Sequence, residues 1–127
     1  MATISLTRAY PATDDFHRGA IRIYSATPLT NATSDVTAAI GPDHLNYRDR
    51  SVQVFGAFGV GGNLRIEGSY DGTNYATLAD AQGNALDITA AKIEEITVPT
   101  PYLRARVTAG DGTTSLSVYF GLGQNPL

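Results

Sequence analysis

The chain has 127 residues, 43% hydrophobic and 17% charged, which suits one domain with its own core and leaves too little charge for disorder. Twelve acidic against nine basic residues give a net charge of −3, the wrong balance for neutralising phosphates, so no nucleic-acid partner is expected. Cysteine is absent, excluding disulfides, thiolate zinc sites and cysteine nucleophiles.

The first fifty residues divide at Tyr10-Pro11, Thr27-Pro28 and Gly41-Pro42 into pieces too small to form a core alone. Ile4-Ser5-Leu6 suggests a short strand, and Ala20 to Tyr24 alternates like a second one. Thr33 to Ile40 is compatible with a brief helical turn starting near Ser34 or Asp35. No apolar block marks Met1 to Arg8 as a signal peptide. Residues 1–49 are therefore expected to form an N-terminal arm with flanking strands.

From Ser51 onward the apolar residues recur at every second position, as in a strand with one buried face. Val52, Val54, Gly56 and Phe58 share one side, followed by Leu64, Ile66, Gly68 and Tyr70 with Arg65, Glu67 and Ser69 opposite. Leu103, Ala105 and Val107 then point inward between Arg104 and Arg106. The last run places Leu116, Val118, Phe120 and Leu122 against Ser115, Ser117 and Tyr119. The expected core is Val52, Val54, Leu64, Ile66, Leu103, Val107, Leu116, Val118 and Phe120.

Turn chemistry separates these runs. Gly59 to Gly62 predicts a tight reversal, Asp71-Gly72 a hairpin of type I′, and Gln82-Gly83-Asn84 and Gly110-Asp111-Gly112 further turns. Pro99 and Pro101 make Thr97 to Pro101 an edge or crossover. Short strands punctuated in this way predict an all-β fold, an antiparallel β-sandwich that is jelly-roll-like, with residues 50–127 as its core in one domain spanning 1–127. Val54 to Gly62, the longest nearly apolar run, is far short of the ~20 residues of a membrane helix, so no membrane partner is expected.

No candidate for chemistry survives inspection. Asp14, Asp15 and His17 could offer two oxygens and a nitrogen to a metal, but no fourth ligand is identifiable, and the cluster reads as a solvated loop. Asp43-His44, followed by Arg48-Asp49-Arg50, lacks a nucleophile on a Gly-x-Ser-x-Gly elbow and reads as a surface or intersubunit segment. Glu94 and Glu95 fall on opposite faces of a strand, so they cannot readily serve one glycosidic bond. Gly59 to Gly62 lacks the Lys and Ser/Thr of a phosphate loop, while Asp71 to Asn74 and Asp111 to Thr113 lack the spaced acids of a calcium loop. The expectation is a protein without catalytic, cofactor or metal site and without a small-molecule substrate. Tyr70, Tyr75, Tyr102 and Tyr119 lie in or beside the strands; such residues suit protein contacts, or sugar stacking as an alternative.

The runs Ser51 to Gly59, Ile66 to Leu78, Tyr102 to Thr108 and Gly110 to Leu116, with their glycine and Asp-Gly turns, resemble small virion proteins of tailed bacteriophages. The resemblance covers roughly residues 51–122 and implies a capsid decoration (cement) protein on the outer surface of the virion. It implies the major capsid protein as partner and a homotrimer as assembly; a carbohydrate-binding or structural module of a tail or fibre is the alternative. A cement protein works through surfaces. Thr3, Ile4, Leu6, Tyr10, Tyr102 and Tyr119 are the residues expected at protein interfaces, with Thr3 to Thr7 adding to a sheet edge of an adjoining subunit. Alanine at His17 or His44 is expected to change stability by no more than roughly 0.5 kcal/mol if these side chains are exposed.

Overall fold

In the computed structural model, which describes residues 2–10, 21–32, 34–41 and 49–123, every regular element is a β-strand. The strands are β1 (Thr3–Ile4), β2 (Thr7–Tyr10), β3 (Ile21–Thr30), β4 (Val36–Thr37), β5 (Asp49–Ala57) and β6 (Asn63–Ser69). They continue as β7 (Ala76–Thr77), β8 (Asp87–Ile88), β9 (Lys92–Glu95), β10 (Tyr102–Ala109) and β11 (Ser115–Gly123). Two sheets form. One has the order β2-β3-β11-β5-β9, and the other β1-β4-β10-β6-β7 with β8 also on β6.

Among the described strands the chain changes sheet between β1 and β2, β3 and β4, β4 and β5, β5 and β6, β8 and β9, and on either side of β10. The central pairings of one sheet are therefore repeated in the other: β3 with β11 is matched by β4 with β10, and β5 with β11 by β6 with β10. A double ribbon wrapped in this way is a jelly roll, the expected sandwich. All pairings are antiparallel apart from β1 beside β4.

Alternation explains the core. Leu64, Ile66, Leu103, Ala105 and Val107 line one inner face, and Val52, Val54, Leu116, Val118, Phe120 and Leu122 the other; all are buried. Every residue expected in the core is found there. Leu29, Leu86, Ile88 and Ile96 complete it from segments with weaker periodicity.

The glycine-rich connections predicted as a tight reversal and a turn do not join neighbouring strands of one sheet. Residues 58–62 and 110–114 link strands of opposite sheets, so both are arches across the end of the sandwich. The arches are bonded together: the Val60 N–H donates to Asp111 Oδ2 at 2.8 Å, and Thr114 Oγ1 donates to the Phe58 carbonyl at 2.7 Å. Gly59 has φ +68°, and a Cβ there would collide with the Asp111 carboxylate. Hydrogen bonds from the Thr113 hydroxyl and from the Val60 and Thr113 amides hold the Asp111 carboxyl down to about 2. An NMR titration should find its midpoint there; a value near the ordinary ~3.9 would mean the arches are not bonded in solution.

The Asp71-Gly72 turn does join a hairpin, β6 with antiparallel β7, but not through a two-residue type I′ turn. It is a wider loop, in which Asp71 Oδ1 accepts from the Thr73 and Asn74 amides, each at 2.8 Å. Ser69 Oγ, accepting from the Gly72 amide, bends the chain out of β6. Tyr70 is consequently 73% exposed instead of joining Leu64 and Ile66 inside.

Thr33 to Ile40 contains no helical turn among its described residues. Asp35 accepts from the Thr30 amide and hydroxyl, which closes a turn behind β3. The Val36 amide then pairs with the Ala2 carbonyl. Asp35 thus acts where a helix cap was expected, but for a strand. Thr97 to Pro101 is the crossover that its prolines predict, running from β9 to β10.

Candidate interaction surfaces

The six residues expected at interfaces do not form one patch. Thr3 is exposed on the edge strand β1. Ile4 and Leu6 are partly buried and pack on the chain's own core. The segment expected on an adjoining subunit instead pairs within its own chain: Thr3 and Ile4 with Val36 and Thr37, and Thr7 with Ser25. An edge left open beside β4 and β3 is thereby satisfied in cis. The Tyr10 backbone lies opposite Ile23 in β2, and its side chain lies outside the described residues. Tyr102 begins β10 with its ring against Gly72. Tyr119 lies on the outer face of the other sheet, where its ring stacks on Phe55 with centroids 5.7 Å apart.

His17, His44 and the neighbouring Asp14, Asp15, Asp43 and Arg48 lie outside the described residues. Among the described residues no three His, Cys, Asp or Glu side chains come close enough to hold a metal ion. Glu94 and Glu95 point to opposite sides of edge strand β9, as their adjacency predicts; Glu94 is half-buried with Lys92 Nζ 3.6 Å away, and Glu95 is exposed. Charges turned inward on an edge strand discourage its pairing with another sheet.

The outer faces of the two sheets are unlike. On the sheet containing β10 and β6, Glu67 is central: its side chain is only 5% exposed and is roofed by two arginines. Arg104 Nε donates to Glu67 Oε1 at 2.9 Å, and Arg106 Nη2 donates to Oε2 at 2.8 Å. The Arg104 guanidinium also lies 3.7 Å from the centre of the Tyr75 ring. Arg65, opposite Arg106 in the ladder, is paired with Asp87. The sequence shows Arg104, Arg106 and Glu67 at outward positions, but not that adjacent strands would draw them together and bury the carboxylate.

Burial opposes the Glu67 charge, but the hydrogen bonds and positive charges of Arg106 and Arg104 outweigh it and hold the carboxyl below its ordinary range. A folded-state value below the unfolded one stabilises the fold above the unfolded pKa, and the contribution disappears as pH falls through the folded pKa. Glu67→Gln should therefore cost about 1–3 kcal/mol near neutral pH. Urea unfolding at about pH 7 and about pH 3 checks the sign: the gap from the parent should shrink in acid.

On the other sheet, outward positions from Ile23 to Thr27, Ser51 to Ala57 and Ser115 to Gly121 carry no charge. One cross-strand row runs Thr7, Ser25, Tyr119, Gln53, Ile93. The next holds Phe55, Ser117 and Thr27, whose hydroxyl lies 2.7 Å from that of Ser117. Phe55 and Ile93 are 38% and 65% exposed. Every second residue from Ser51 to Ala57 and from Ser115 to Gly121 is uncharged in the sequence itself.

Neither a known protein family nor a curated protein matches the sequence. The fold does have a counterpart. The crystal structure of the SPBc2 prophage-derived protein YomS matches with a TM-score of 0.60 over 86% of this chain and 99% of that one, at 11% identity. A likeness at that identity is one of fold. Peruvianin-I, a cysteine peptidase from Thevetia peruviana latex, has a TM-score of 0.43 at 20% identity over 86% of this chain and 53% of its own. FeII HppE has a TM-score of 0.35 at 10% identity over 80% and 42% respectively. Scores this low carry no argument about either protein.

Proposed function

We propose that this chain is a non-enzymatic structural protein of a tailed-bacteriophage virion, which decorates the outer surface of the capsid by binding across major capsid protein subunits. The observation that carries this reading is the shared fold with a prophage-derived protein, which extends over 99% of that protein. The resemblance of residues 51–122 to small virion proteins supports it independently. A doubly wound sandwich suits the task because its layers hold outer faces and arches in fixed relation. A ligand that binds only the assembled shell stabilises that shell by mass action, and many copies add through multivalency.

The sugar-binding alternative draws less support. The Tyr75 ring is already engaged by Arg104, and the Tyr102 ring lies against Gly72.

Sedimentation of the purified protein with the particles of its own phage tests the proposal. Binding to mature heads, with a raised temperature of head disruption, is the expected result. Binding to tails alone, or to no virion component, would overturn it.

A further inference from the structure

Three of the nine basic residues, Arg65, Arg104 and Arg106, stand together on the outer face of β6 and β10. Arg65 is directly opposite Arg106 in the ladder, and Arg104 is its diagonal neighbour, a separation of about 7–8 Å in a sheet. Like charges set so close repel, and Glu67 and Asp87 offset that cost. The compensation around Glu67 is one-sided. The Arg104 and Arg106 side chains are 22% and 31% exposed against 5% for Glu67, so the guanidiniums, not the carboxylate, meet the solvent.

The hydrogen bonds also leave one side of two guanidiniums open. Arg104 is held through Nε by Glu67 Oε1, with the centre of the Tyr75 ring 3.7 Å from its Cζ. Arg65 is held through Nε by Asp87 Oδ1 at 3.3 Å. In both, Nη1 and Nη2 have no hydrogen-bond partner among the described residues. That pair of nitrogens can grip a carboxylate by two parallel bonds, and a guanidinium already fixed at Nε loses less freedom in doing so. Arg106 instead spends Nε and Nη2 on Glu67.

We infer that this face is turned towards the capsid, and that Arg65 and Arg104 each bind the carboxylate of an Asp or Glu side chain on the major capsid protein. The inference rests on the virion reading and adds to it the contact surface and its chemistry. Paired carboxylates suit the site better than a nucleic-acid backbone. A run of phosphates would meet a chain of net charge −3, with Asp87 beside Arg65 and Asp71 near Tyr75, and such acids repel it.

Co-sedimentation of the full chain with mature heads of its own phage, at about 50 and about 500 mM NaCl, is the test. Arg65→Gln leaves no buried charge behind, since Asp87 is itself exposed; it should weaken binding at low salt at least ~10-fold and flatten the salt dependence. Arg104→Gln should do the same, and circular dichroism shows whether Glu67 still folds with Arg106 alone; should that variant unfold, Arg65→Gln decides. Lys92→Gln, which removes the same charge on β9 of the other sheet, should bind like the parent. An excess of duplex DNA should not compete. A parent that binds heads while folded Arg65→Gln binds them equally well would overturn the inference and leave the virion reading standing. An equal loss in Lys92→Gln, or competition by DNA, would also overturn it. A parent that binds no heads overturns both.

Discussion

Phe120→Ala should destabilise the fold by about 3–5 kcal/mol, measured by urea unfolding at neutral pH. Phe120 is fully buried and sits on β11, which is paired on both sides, opposite Tyr24 on β3 and Val52 on β5. The hole left by its ring is framed by two ladders whose hydrogen bonds fix strand spacing, so the walls cannot move in to close it. Loss of apolar transfer energy and an unfilled cavity therefore add. The same truncation at Leu6, which is only half-buried on an edge segment, should cost less. Equal losses at both positions would mean that the core is not organised around β11.

Arg50→Met should cost about 2–4 kcal/mol in the same experiment. Arg50 is buried on the inward side of β5, opposite Leu122, and its Nη1 donates to the carbonyls of Val98 and Thr100 at 3.2 and 3.3 Å. Those carbonyls belong to the proline-bearing crossover, which has no ladder of its own to satisfy them. Methionine keeps much of the stem but removes the donors, leaving acceptors buried without their hydrogen bonds. Hydrogen exchange should show the damage at the crossover first, with protection lost at the Ile96 amide, which bonds to the Arg50 carbonyl.

The contrast between these two residues shows what the sequence can reveal. Phe120 stands in an unbroken two-residue period, so strand, inward face and burial follow from local pattern alone. Arg50 stands in a mixed-charge run that reads as surface; its burial depends on residues 98–100, which only the third dimension brings near. Glu67 is hidden for the same reason: its side of the strand is legible, but the arginines that roof it come from β10. The uncharged outward positions of β5 and β11 are legible, since every second residue from Ser51 to Ala57 and from Ser115 to Gly121 lacks charge. That Ile4 and Leu6 pack on the chain's own core is not legible either, because the first strands pair with β4 and β3, and parallel or short edge pairings leave little periodic trace.

The wrapping order also constrains how the molecule is made. β11, the last strand translated of the eleven, lies at the middle of its sheet between β3 and β5. A nascent chain lacking it holds two apolar strands with no neighbour between them and half a core with no opposing wall. Folding must therefore wait until residue 123 has left the ribosome, and its contacts join segments far apart in the chain, which makes for slow assembly. During that interval β3 and β5 present unpaired edges, which are open to aggregation.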